Sequence, residues 1–133
     1  MKITLCGSIT FAKDIVSIFQ KLKDAGHQPV LDEKMFLIAT ENFVDPTKKE
    51  NDVIRVWYNF IVNSDAVLIC NFDKNGITNY IGGNTLMEIG FAYVNNKKIF
   101  LLNPIPDELS YKEEIKAMQP IIINNDLTKI CNS

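Results

Sequence analysis

The sequence has only one histidine and three cysteines among its 133 residues, and it lacks an apolar run long enough to span a bilayer. A single histidine leaves little scope for zinc sites built on clustered histidines or for a Ser-His-Asp triad, so we expect no metal site. An odd number of cysteines is not typical of a disulfide framework and fits a reducing compartment. The N-terminus also lacks the long apolar core of a secretory signal. We therefore expect a soluble, cytoplasmic protein with no membrane partner.

Neither sign of charge is in excess, because 14 Lys and Arg residues stand against 16 Asp and Glu residues, for a formal net charge of −2. Such a sequence has no broad basic surface, and we expect no nucleic-acid partner. Hydrophobic residues make up 47% and charged residues 23%, which is ordinary for a globular protein. A length of 133 residues fits one domain, so we expect a single domain over residues 1–133.

Apolar stretches of strand length alternate with stretches of helical periodicity along the chain. Strands are predicted over residues 2–6, 29–31, 65–72, 98–102 and 120–124. Helices are predicted over residues 10–25, 47–63, 85–94, 110–118 and, as a terminal turn, 127–131. Residues 32–44 show no clear periodicity and are predicted to form a long loop. The alternation predicts an α/β fold, namely a flavodoxin-like, doubly wound, five-stranded parallel sheet with the order 2-1-3-4-5.

In a sheet of this order, the ligand crevice lies at the carboxyl ends of strands 1 and 3. Gly7 and Ser8 follow strand 1, where Ser8 either binds an anion or caps the next helix. Asn71 lies at the end of strand 3 and Asp73 and Asn75 follow it, and these residues either face the cleft or form a surface turn. These two segments are therefore the first candidates for a binding site.

Several other reactive or aromatic residues receive a structural interpretation. His27 lies in the turn before strand 2, at the opposite edge of the sheet, where a helix C-terminus favours it. Cys6 and Cys70 lie near the ends of adjacent strands and could approach each other, although buried, inert thiols are the simpler interpretation. Trp57 and Tyr58 lie on a helix and are predicted to pack rather than to stack on a base.

Glu88 is the only charged residue in the apolar stretch 85–94. A carboxylate in a helix that is buried on most sides costs free energy unless it is paired or points into the cleft. Two interpretations stay open: Glu88 closes a capping box on Thr85, or it is a catalytic carboxylate. Gly82 and Gly83 either admit a ligand to backbone N–H groups or form a flexible turn. The sequence has neither G-x-G-x-x-G nor G-x-x-x-x-G-K-[ST], which excludes the dinucleotide and P-loop classes.

Three segments stand out as motifs: C-G-S-I at residues 6–9, S-D-A-V at 64–67, and G-G followed by M-E-I-G-F-A within 82–92. They resemble the nucleoside 2-deoxyribosyltransferase superfamily, which includes 2′-deoxynucleoside 5′-phosphate N-hydrolases and CMP N-glycosidases. The G-G-x-T-x-x-E run is also similar to the P-G-G-x-G-T-x-x-E motif of cytokinin-activating phosphoribohydrolases, which likewise cleave a base from a sugar phosphate. The resemblance implies a flavodoxin-like fold, cleavage of an N-glycosidic bond without a cofactor, and a homodimer or higher homo-oligomer.

The resemblance also implies roles for individual residues. Glu88 matches the nucleophile that attacks the anomeric carbon, and Asp73 is the candidate for the acid that assists the departing base. Substrate contacts are expected from the turn after strand 1, the end of strand 3 and the loop before the catalytic helix, namely from Gly7, Ser8, Ile9, Asn71, Gly82, Gly83 and Asn84. We therefore expect hydrolysis or transfer at the N-glycosidic bond of a nucleoside or nucleoside 5′-monophosphate. Lys13 or Lys74 could supply charge for a phosphate.

Three positions differ from the superfamily pattern, because Gly82 and Trp57 stand where its members carry aspartates and Thr4 stands where they often carry a tyrosine. This difference supports a second hypothesis, a non-catalytic nucleotide-binding or sensing module of the same fold. A third hypothesis is a structural subunit whose helices pack against a partner. A nucleotide that raises the melting temperature without being cleaved would favour the second hypothesis.

Overall fold

Five short parallel strands form the centre of the molecule. They are β1 (Lys2–Cys6), β2 (Gln28–Val30), β3 (Ala66–Ile69), β4 (Lys98–Leu101) and β5 (Ile121–Ile122), hydrogen-bonded in the order β2-β1-β3-β4-β5. All neighbouring strands are parallel. The computed structural model describes residues 1–41 and 53–130. The predicted α/β fold and strand order are confirmed.

Helices cover both faces of the sheet, as crossover connections between parallel strands require. They are α1 (Ala12–Asp24), α2 (Glu33–Glu41), α3 (Val53–Val62), α4 (Gly83–Val94) and α5 (Lys112–Ala117), with short 3-10 turns at Ile9–Phe11 and Leu127–Lys129. Buried side chains of α1 and α2 share one core cluster with the sheet, and those of α3, α4 and α5 share the other. The molecule is therefore a three-layer sandwich with one apolar core on each side of the sheet.

The two cysteines near the carboxyl ends of β1 and β3 face opposite cores. Cys6 belongs to the cluster that contains α3 and α4, whereas Cys70 belongs to the cluster that contains α1 and α2. Cys6 is paired with Ile69, so Cys70, one residue further along, points to the other face. Although they face opposite cores, the two thiols lie close enough for Cys70 to contribute to the raised pKa of the Cys6 thiol, and both are buried as predicted.

Residues 33–41 form a helix, so the prediction of a loop over 32–44 is wrong. The backbone N–H of Lys34 donates a hydrogen bond to Oδ1 of Asp32 at 3.0 Å, which caps the start of α2. Met35 is buried, and the rings of Phe36 and Phe19 meet edge to face at 4.9 Å between centroids. Packing against α1 stabilises α2. The apolar residues of α2 follow one another directly, so the sequence shows no helical periodicity in this segment. The helix start predicted at residues 45–47 lies outside the described residues.

Candidate active site

A cavity of about 510 Å³ lies at the carboxyl ends of β1 and β3. Small-molecule sites usually have volumes of roughly 300–1,000 Å³. The turn after β1, the segment after β3 and the start of α4 all contribute to its lining, and α2 and α3 add apolar walls. The sheet order thus predicted the position of the cavity.

Gly7 occupies the point where the turn after β1 comes closest to β3. A Cβ atom at this position would lie 3.0 Å from the carbonyl oxygen of Cys70 and 3.0 Å from Cδ1 of Ile15. A backbone oxygen so close leaves no room for a side chain unless the turn moves. Gly7, Ser8 and Ile9 all line the cavity, where the sequence predicted them to lie.

Ser8 and Lys74 form a polar pair in the cavity wall. The backbone N–H of Thr10 donates to Oγ of Ser8 at 3.2 Å, and Nζ of Lys74 donates to the same oxygen at 2.9 Å. Ser8 is therefore a cap, as one of its two interpretations predicted, and it also faces the cavity beside a cation.

A tight turn holds Lys74 in place. Lys74 and Ile77 form an isolated antiparallel bridge, with backbone N–H···O distances of 3.0 and 2.9 Å. Between them Asn75 and Gly76 have φ of 55° and 74°, the left-handed conformations that Asn and Gly adopt most readily. The prediction that Asn75 forms a turn is confirmed. Lys74 is the cation among the cavity-lining residues of the described chain.

Helix α4 begins at Gly83, with Gly82 as its N-cap, so the predicted capping box is not formed. Thr85 lies inside the first turn, and no described residue donates a hydrogen bond to the carboxylate of Glu88. Gly82, Gly83 and the neighbouring Asn84 line the cavity, which leaves backbone N–H groups of the first turn near it.

Glu88 is buried, with 8% of the residue exposed, and it lines the cavity. Desolvation by burial raises the pKa of its carboxyl from 4.5 to about 7. The pKa of the Cys6 thiol is raised mainly by burial and to a smaller extent by the charge of Glu88. Because Cys6 is the last residue of β1, Glu88 lies near the end of that strand. The site thus contains an acid that changes its protonation near neutral pH and has no counter-ion among the described residues.

Asn71 and Asp73 are not among the residues that line the cavity. Nδ2 of Asn71 donates to the carbonyl oxygens of Asn103 and Pro104 at 2.9 and 3.2 Å, and its Oδ1 accepts from the N–H of Asn103 at 3.0 Å. Oδ1 of Asp73 accepts from the backbone N–H of Asn79 at 2.9 Å. Both side chains therefore hold loops together, and the expectation that they face the cleft is not met.

Aromatic and apolar side chains that were not predicted to belong to the site also line the cavity. Tyr80 lines the cavity, and its position depends on a loop contact that no periodicity reveals. Val53 and Ile54 are 45% and 50% exposed and line the cavity with Trp57. The only available signal for Tyr80 was its place two residues before the glycine pair.

Within residues 1–41 and 53–130, no group of three or more His, Cys, Asp or Glu side chains converges as a metal site would require. No helix in these two segments has both the length and the apolar character needed to cross a bilayer. Lys74 and Glu88 are the charged groups that these segments contribute to the cavity.

The fold and the cavity can now be compared with known proteins. No protein-family model matches the sequence, and no curated protein does either. The search of solved structures identifies an α/β protein of the same fold over nearly the whole chain. It is the CMP N-glycosidase BcmB of Clostridium botulinum, with a TM-score of 0.56, 18% sequence identity, and coverage of 93% of this chain and 90% of that chain. At this identity, the similarity establishes the shared fold.

Proposed function

We propose that this protein cleaves the N-glycosidic bond of a nucleoside or nucleoside 5′-monophosphate, with Glu88 as the nucleophile. The observation that carries the proposal is a buried carboxylate that lines a 510 Å³ cavity and has no hydrogen-bond donor or cation paired with it among the described residues. A buried charge without a partner is costly, and proteins retain such groups mainly at functional sites.

The chemistry follows from the properties of this carboxylate. In its ionised form Glu88 can attack the anomeric carbon of a sugar, whose transition state carries positive charge on the ring. Water then attacks the same carbon and releases the sugar, or a second base does so in a transfer reaction. The dry environment that raises the pKa of Glu88 to about 7 also strengthens its attraction to that positive charge.

A phosphate group would find complementary charge at the other polar part of the cavity. Lys74, held by Ser8 at 2.9 Å, and the first-turn N–H groups of α4 are the features that attract an anion. A substrate with a 5′-phosphate therefore fits the site better than an uncharged nucleoside. The structural neighbour is itself an N-glycosidase of a nucleotide, CMP. Substrate contacts by residues 7–9 and 82–84 belong to the same proposal, as does a reaction without a cofactor.

We also propose that the active form is a homodimer or larger homo-oligomer. Val53 and Ile54 of α3 are both half-exposed and line the cavity. Nearby, the exposed ring of Tyr58 on α3 packs against the ring of Phe91 on α4, with 5.1 Å between the ring centroids. A second copy that covered this apolar surface would also close the open wall of the cavity.

The direct test is incubation with a panel of nucleosides and their 5′-monophosphates, followed by chromatography for free base. We expect release of base by the wild type and a loss of at least about a thousandfold for Glu88→Gln. Glu108→Gln, at an exposed loop position, is the matched control and should keep full activity. Binding of a nucleotide without turnover would instead support the non-catalytic module, and full activity of Glu88→Gln would exclude the assigned role.

A further inference from the structure

Cleavage of an N-glycosidic bond leaves negative charge on the departing base, and a proton donor in the cavity lowers this barrier. Asp73 cannot supply the proton from where it lies, because it is outside the cavity lining and accepts a hydrogen bond from Asn79. The buried thiol of Cys70 is a poor donor, since burial raises its pKa to about 12. Within residues 1–41 and 53–130, the other lining residues are therefore the candidates for the donor.

The phenol of Tyr80 lines the cavity and has no hydrogen-bond partner within residues 1–41 and 53–130. The hydroxyl of Ser8 keeps its own proton, but its oxygen accepts from both Thr10 and Lys74. A phenol also ionises far more readily than an aliphatic hydroxyl, so it can release a proton as well as donate a hydrogen bond. Tyr80 thus has both the freedom and the chemistry of a proton donor.

Tyr80 is fixed beside the start of the helix that carries Glu88. Its backbone N–H donates to the carbonyl oxygen of Phe72 at 2.9 Å. Its ring lies over Gly82, where an added Cβ would be 3.3 Å from Cε1 and 3.6 Å from the phenol oxygen. An alanine at this position would therefore move the Tyr80 ring by a few tenths of an ångström.

Glu88 follows Gly82 by six residues, a rise of about 9 Å along a helix. Helical side chains lean toward the N-terminus, which brings the Glu88 carboxylate back toward Tyr80. The two residues thus line one cavity of about 510 Å³.

Lys74 provides the electrostatic support that such a step needs. Its Nζ lies 5.9 Å from the centroid of the Tyr80 ring. As the phenol gives up its proton, negative charge develops on the ring and its oxygen, and the nearby ammonium attracts that charge.

We propose that Tyr80 is a catalytic residue that protonates the departing base, an inference that rests on the proposed function. An oxygen of Glu88 forms a bond to the anomeric carbon while the carbon–nitrogen bond breaks and its electron pair goes to the base. The proton of the Tyr80 hydroxyl goes to the base at the same time. Water then adds its hydroxyl to the anomeric carbon, its remaining proton returns to the Tyr80 oxygen, and Glu88 leaves as a carboxylate.

The test is steady-state kinetics of Tyr80→Phe on the best substrate of the nucleotide panel. Loss of the donor is expected to lower kcat by about a hundredfold or more, with KM changed by less than about threefold. Tyr93→Phe, at a 49% exposed position of α4, is the matched control and should behave as the wild type. Gly82→Ala is a second variant, because its Cβ pushes against the Tyr80 ring and should lower kcat as well.

Two results would overturn the assignment: a kcat for Tyr80→Phe within about tenfold of the wild type, or an effect confined to KM. Glu88→Gln, measured in parallel, separates the two proposals. If Tyr80→Phe keeps its kcat while Glu88→Gln loses activity, only the role of Tyr80 fails. If Glu88→Gln stays fully active, the proposed nucleophile fails first.

Discussion

Replacement of Glu88 by glutamine is expected to stabilise the fold at neutral and alkaline pH. Burial raises the pKa of Glu88 from 4.5 to about 7, and no described residue pairs with its carboxylate. At about 1.36 kcal/mol per pKa unit, this difference means that folding disfavours the ionised carboxyl by about 3 kcal/mol. Glutamine has nearly the same shape and carries no charge, so the variant avoids this cost.

The effect has a defined pH window. Between about 4.5 and about 7 the folded state holds the Glu88 proton and the unfolded state has lost it. The free energy of unfolding of the wild type therefore falls as the pH rises through this window, and the contribution levels off above it. Since Glu88→Gln lacks this contribution, its free energy of unfolding should gain about 3 kcal/mol relative to the wild type between pH 4 and pH 8.

Urea unfolding followed by circular dichroism at several pH values between about 4 and 8 measures this difference directly. Glu108→Gln is the control, because the exposed Glu108 should change the free energy of unfolding by less than about 0.5 kcal/mol at every pH. A difference between Glu88→Gln and the wild type that stays constant with pH would refute the reasoning. So would a variant that is less stable than the wild type at pH 8.

Three further outcomes are expected. The kcat/KM of the wild type should rise with pH up to about 7, since the nucleophile acts in its ionised form, and a flat profile between pH 5 and 7 would contradict that role. Lys74→Met should raise KM for a 5′-monophosphate by about tenfold or more and leave KM for the parent nucleoside nearly unchanged, while kcat falls for both because the ammonium beside Tyr80 is lost; kinetics on such a pair measure this, and equal changes in the two KM values would exclude phosphate contact. Asn71→Ala should lower the free energy of unfolding by about 2–4 kcal/mol, because the hydrogen bonds to Asn103 and Pro104 are lost. Denaturant unfolding measures this change, and an unchanged free energy of unfolding would contradict a structural role for Asn71.

The fold could be predicted because periodicity carries most of its information. Each interior strand is a short apolar run, and α1 buries Ile15, Ile18 and Leu22 at helical spacing. Helix α2 could not be predicted in the same way, because Met35, Phe36, Leu37 and Ile38 follow one another without a helical period. That helix depends on packing against α1, which is a tertiary effect.

The site could be predicted only where backbone topology positions a residue. Gly7 directly follows β1, and Gly82 directly precedes α4. The carboxyl end of β1 and the start of α4 both lie at the cavity, so both glycines line it. Asn71 was predicted at the same edge, but whether its amide turned to the cavity or to Asn103 depended on the loop after β4. The Tyr80 ring lies against Gly82, where an added Cβ would be 3.3 Å from Cε1. Such contacts between loops have no signature in a single sequence.

The stability cost and the proposed chemistry have one physical origin. Burial of Glu88 removes the water that would stabilise its charge, and the described residues provide no ion pair or hydrogen bond in exchange. The helix is capped by Gly82 instead of by a side chain, so the carboxylate is not drawn into local structure. Positive charge that develops on a sugar ring during bond cleavage would be the partner that the folded protein lacks, and binding to it would be stronger in the transition state than in the ground state. A carboxylate that was already paired with a cation or a hydrogen-bond donor of the protein would not bind the transition state more strongly than the ground state. Because the unpaired charge of Glu88 is the cause of both effects, Glu88→Gln should gain stability and lose turnover together.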